Sequence, residues 1–165
     1  MALGKIVMAG FALGGLYVAM PRGRADPALL LPQPMKVSVE RLRASRRVVE
    51  GTGMGSLTVA GAGAAGGALL IGVSRAGDPH RVTCRVAITP ASPTTSRAEV
   101  DCDQTASKDE PTRRVAVKAM ALVVREHVAA TVEDRPYDID GVANRMIALL
   151  AVNRAAVAAS LQPEG

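Results

Sequence analysis

Few residues in this chain have types and spacings suited to chemistry. Glu126-His127 sets a carboxylate beside an imidazole, the residue types of general acid–base catalysis. A zinc-peptidase helix needs a second histidine one turn away. The other histidine, His80, lies in turn sequence. No G-x-S-x-G elbow presents a nucleophilic serine. His127 sits on a helix face of alanine, valine and methionine, where a lone histidine reads as a packed, hydrogen-bonded core residue. A hydrolase using His127 with Glu126 or Glu133 is the enzymatic alternative, with no nucleophile in view.

Two further patterns invite a ligand. Residues 61–66 spell G-x-G-x-x-G. That loop holds a pyrophosphate only where a helix starts at the glycines and an acid follows about 20 residues on. Here Gly66-Gly67 and then Leu69–Val73 follow, poor helix sequence, and Asp78 is in a turn. The acids Asp101, Asp103 and Asp109 suggest calcium, but the D-x-D lacks the glycine and distal acid of a calcium loop. They read as a solvated strand face. No catalytic, cofactor-binding or metal-binding residue is assigned, and no cofactor is expected.

The two cysteines form the one constellation with a consistent geometry. Residues 81–103 read as two alternating strands around the loop Pro90–Ser96. Folding them about Pro93 sets Cys84 opposite Cys102, Val86 opposite Val100 and Ile88 opposite Ala98. A slip of one residue would break both the apolar face and the cysteine pair. A disulfide between Cys84 and Cys102 is expected. Two cysteines placed this way fit an exported domain better than a metal site.

The elements that position this hairpin extend it on both sides. Residues 51–74 carry no charge. Folded about Ala65, Leu57 meets Val73, Val59 meets Ile71, and Gly61 meets Leu69. A turn at Ala76–Pro79 then pairs Val73 with Val82, Ile71 with Cys84, and Leu69 with Val86. The same side chains share one face throughout, which predicts a four-stranded antiparallel meander. The alternative is an integral membrane component, with residues 54–73 as a second span close-packed through Gly63 and Gly67.

The first 25 residues look like a targeting segment. Lys5 precedes an apolar run from Ile6 to Met20, and Pro21 ends it. Its length suits a signal-peptide core, with cleavage after Ala25, and is short for a span of about 20 residues. An uncleaved membrane anchor, lengthened by Ala2 and Leu3 while Lys5 snorkels, is the competing reading. The formal charge of +5 counts Lys5, Arg22 and Arg24; without these three the 20 basic residues fall to 17, against 15 acids. So near-neutral a body has little general pull on nucleic acid or anionic lipid, and no nucleic acid is expected as a partner.

Residues 26–36, rich in proline, read as an extended linker whose Leu29–Leu31 rests on a single domain over 37–165. Val37–Glu50 reads as a short charged helix. Lys36, Arg41, Arg43, Arg46 and Arg47 make it basic: a solvated face beside Glu40 and Glu50, or a contact with a membrane surface. A long helix from Pro111 to about Glu133 shows a polar stripe of Arg114, Lys118 and Arg125 opposite Ala116, Met120, Val123 and His127. After a break at Asp134–Asp138, a last helix capped by Asp138 or Asp140 runs to about Leu161, with Val142, Met146, Leu149, Leu150, Val157 and Leu161 on one side.

The stretch EHVAATVEDRPYD, following a cysteine hairpin and an N-terminal apolar segment, resembles uncharacterised small envelope proteins of alphaproteobacteria. The resemblance implies a location and supplies no activity or functional residue. The sequence therefore predicts an α+β domain in the periplasm, or anchored in the inner membrane with the domain outside the cytoplasm. Its meander is covered on one face by C-terminal helices. Its expected role is non-enzymatic, binding an envelope partner or a small apolar ligand between sheet and helices, with a homodimer as a further option.

Overall fold

The computed structural model describes residues 27–50, 55–78, 81–102, 111–155 and 158. The N-terminal segment, and with it the expected signal or anchor helix, lies outside them. So do Asp103 and Asp109 of the suggested calcium cluster, and Val157 and Leu161 of the last helix. The fold is α+β, in the order β1 (Leu29–Leu31), α1 (Met35–Arg43), β2 (Arg46–Val49), β3 (Leu57–Ala65), β4 (Ala68–Arg75), β5 (Arg81–Pro90), β6 (Ser96–Asp101), α2 (Pro111–Val132), α3 (Ile139–Val152). All six strands join one antiparallel curled sheet ordered β1-β6-β5-β4-β3-β2.

The expected meander forms the centre of this sheet, but the count of four strands is too low. A meander leaves an unpaired edge on each side, and flanking chain that can pair there tends to do so. The stretch expected as linker gives β1 to β6, with Leu29 opposite Ala98 and Leu31 opposite Ser96. The stretch expected as one helix breaks at Ala44-Ser45, and its second half becomes β2 along β3. Within the suggested second span, residues 57–65 form β3 and residues 68–73 belong to β4. Among the described residues no helix is long and apolar enough to cross a membrane.

Two registers match the sequence expectation. Ile71 faces Cys84 and Val73 faces Val82; Val86 faces Val100 and Ile88 faces Ala98. The β3–β4 register is displaced by two residues, so Val59 faces Val73 and Gly61 faces Ile71. The cause is the turn. Gly66 and Gly67 have φ of 55° and 75°, the two left-handed positions of a tight hairpin turn that glycine fills without strain. The hairpin closes there and not at Ala65. A bulge between Gly61 and Gly63 then takes up the odd residue and keeps the apolar set on one face.

That inner face carries Leu31, Val49, Leu57, Val59, Ile71, Val86 and Cys84, all buried. α1 crosses it, touching β3 to β6, and α2 lies beside α1. Leu42 of α1 and Val123, Val124, Val128 and Val132 of α2 fill the space between sheet and helices, where room for a small apolar ligand was expected. The stripe of Arg114 and Lys118 on α2 faces solvent, but Ala116 is exposed rather than packed. α3 docks on α2 through Val142 and Met146 and leaves Ile147 and Leu150 exposed.

Candidate functional site

Cys84 and Cys102 are bonded, closing the expected cross-strand disulfide within the core. They do not titrate or react there. The residues with remaining chemical interest gather where α1, β2 and the end of α2 converge.

His127 is wholly buried on α2. Its Nε2 lies 2.8 Å from the Oγ of Ser45, in the link between α1 and β2. Ser45 reaches this place because Gly61 lets α1 end directly against β3. A Cβ on Gly61 would overlap the carbonyl of Arg43 and come within 2.9 Å of the Leu42 carbonyl. The Gly61 amide instead donates to the Ser45 carbonyl at 3.0 Å. The first glycine of the G-x-G-x-x-G pattern thus serves a helix–strand contact. No helix begins at these glycines.

A Ser–His contact at this distance raises a nucleophile–base reading, and its proton wiring argues against it. Ser45 has one hydroxyl proton, and it is donated to the Leu42 carbonyl at 2.7 Å. The contact to His127 is therefore made by Nε2–H donating to Oγ. A general base needs a bare Nε2 facing the hydroxyl and an acid holding Nδ1–H. Here Nδ1 is the bare nitrogen and has no hydrogen-bond partner. Burial, reinforced by the Arg47 guanidinium, pushes the His127 pKa down to about 4, so the ring is neutral near pH 7.

Neither acid of the hydrolase alternative reaches His127. Glu126, 4% exposed, accepts both terminal nitrogens of Arg135 and the Asp138 amide. Glu133 accepts from Nε of the same arginine at 2.5 Å. The pair builds the corner after α2. Asp134 takes the left-handed φ of 54° usually given to glycine, and the Arg135 amide reaches back to the Ala130 carbonyl. Tyr137 donates to the Val123 carbonyl, and burial, with Glu126 adding to it, raises its hydroxyl pKa. Asp138 caps α3 through the Gly141 amide.

Beside Ser45 opens a cleft of about 390 Å³ lined by Arg41, Ala44, Ser45, Arg46, Arg47, Ala130, Thr131 and Asp134. Arg41 donates to the Val132 carbonyl at 2.9 Å, tying α1 to the negative end of α2. Arg46 and Arg47 have no hydrogen bond or ion pair among the described residues. Glu40 and Glu50, their neighbours in sequence, do not pair with them; the ion pairs among the described residues belong to Arg135. Among the described residues no three His, Cys, Asp or Glu side chains gather as a metal site would require.

The sequence pointed to His127 and the basic stretch but not to Ser45, 82 residues away. The signal present was the Ala44-Ser45 break between the basic helix and RRVV. Comparison with protein families, curated proteins and solved structures found no match to this chain.

Proposed function

We propose that this chain is an exported envelope domain that works by binding a partner and not by catalysis. The carrying observation is the Cys84–Cys102 disulfide, closed at the centre of the sheet with no cysteine left over. Such a staple fits an oxidising compartment. The apolar N-terminal run and the likeness to small envelope proteins support the same location. The residues that could have reacted are engaged in holding the fold, which favours binding.

The test is made in cells of the source organism. Thiols are blocked in intact cells with a permeant alkylating agent, and the chain is then weighed. The proposal expects an unmodified disulfide in the envelope fraction. A chain in the cytosolic fraction carrying two alkyl groups would contradict it.

One observation favours an enzyme, the 2.8 Å contact between Ser45 and His127. A fluorophosphonate probe reports on that reading directly. Labelling of Ser45 that disappears in His127→Ala supports a hydrolase; no labelling supports the binding reading.

A further inference from the structure

The unpaired arginines of the cleft form a site that the fold does not itself use. Arg47 pairs with Val59, whose side chain is wholly buried, so Arg47 points to the helix-covered face of the sheet. It is half-buried there, and its charge reaches His127 and Tyr137. A guanidinium withdrawn from water without a carboxylate partner is costly. Asp134, the acid lining the same cleft, makes no ion pair with it, and Glu126 is committed to Arg135. Arg46 and Arg41 line the same opening. Thr131 lines it too, and its hydroxyl makes no hydrogen bond among the described residues.

We propose that this cleft binds a phosphate group, held by the Arg47 fork with Thr131 beside it. Guanidinium matches a tetrahedral oxyanion with two parallel N–H donors, which a lysine cannot do. Three arginines and Asp134 line the cleft, a balance suited to a dianion. The proposal deepens the binding reading by naming the chemistry recognised. The phosphate could be free or could belong to a lipid headgroup.

Equilibrium dialysis of the purified full chain against radiolabelled inorganic phosphate, at fixed chloride, tests the site. Wild type and Arg97→Gln, altered on an exposed strand position, take up phosphate alike. Arg47→Gln binds about tenfold more weakly or worse, the loss of one charged bidentate contact. Arg47→Lys falls between, and Asp134→Asn binds more tightly. Thermal melting of each variant separates lost binding from lost folding. Sedimentation with phosphatidylglycerol or phosphatidylcholine vesicles identifies the source. Arg47-dependent pelleting with the anionic vesicles, without uptake of free phosphate, assigns a headgroup. No uptake in either arm, or equal uptake by wild type and a folded Arg47→Gln, overturns the site. That result leaves the disulfide and export measurement untouched.

Discussion

Nε2 of His127 on α2 and Oγ of Ser45 in the α1–β2 link are 2.8 Å apart across 82 residues of sequence. The contact fixes the end of α1 against α2, and it carries a pH signature. An unfolded chain takes up a proton on this ring near pH 6.5, whereas the folded ring resists until about 4. Between these values the unfolded state binds more protons, so stability is complete above the window and falls as pH drops through it. The full depth is about 3 kcal/mol. Chemical denaturation from pH 7 to pH 4 should show this slope, and His127→Gln should flatten it. An unchanged slope in the variant would assign the pH effect to other groups.

The disulfide should hold the folded state more than the strands alone can. It closes a separation of 18 residues, for which a contribution of about 3 kcal/mol is expected. The double variant Cys84→Ala/Cys102→Ala should lose about that much in urea denaturation while keeping its far-ultraviolet dichroism. Because Cys84 is wholly buried, reduction of the native chain should track global unfolding. Rapid reduction of fully folded protein would show that the bond is more accessible than its burial indicates.

The two partners of the α2–α3 corner should respond unequally to mutation. Arg135→Ala leaves the Glu126 carboxylate buried with only the Asp138 amide, a loss of about 3 kcal/mol. Glu126→Gln leaves a cation that solvent reaches, since the Arg135 side chain is 35% exposed. It should cost less, and the double variant should cost less than the sum of the singles. Equal effects of the two single variants would show that the pair is not held as described.

Gly61 should tolerate no side chain. Gly61→Ala drives a Cβ into the carbonyls of Arg43 and Leu42, an overpacking cost of about 1–3 kcal/mol. Ala60→Val, one residue away on the outer face, should cost little. Denaturation midpoints measure both. A neutral Gly61→Ala would mean that α1 does not end against β3.

How far this architecture could be read from sequence depended on how local its determinants are. Alternation of apolar residues gave the β4–β5 and β5–β6 registers and the cysteine pair, because a slip would expose every buried side chain at once. The β3–β4 register escaped because the glycines at 61, 63, 66 and 67 mark no face. Only the paired left-handed turn at Gly66-Gly67 and the bulge settle it. The edge strands escaped for another reason. Leu29–Leu31 is too short to show a period, and Arg46–Val49 puts Arg47 on the inner face, where alternation calls for an apolar residue. His127 was readable as a core histidine from its helix face. Its partner was not, since Ser45 is brought to it by tertiary contacts alone. Glu126 beside it looked catalytic, yet neighbours on a helix point in different directions, and its carboxylate serves the corner.

The central claim is that the chemically capable residues of this chain are engaged in its structure, and His127 is where that claim is most exposed. Nitrogen-15 chemical shifts of its ring, followed from pH 8 to pH 4, report tautomer and protonation together. The account predicts a protonated Nε2, a bare Nδ1, and no titration until about pH 4. A protonated Nδ1 with a bare Nε2 titrating near 6.5 would contradict it and return the Ser45–His127 pair to the chemistry of a nucleophile and its base.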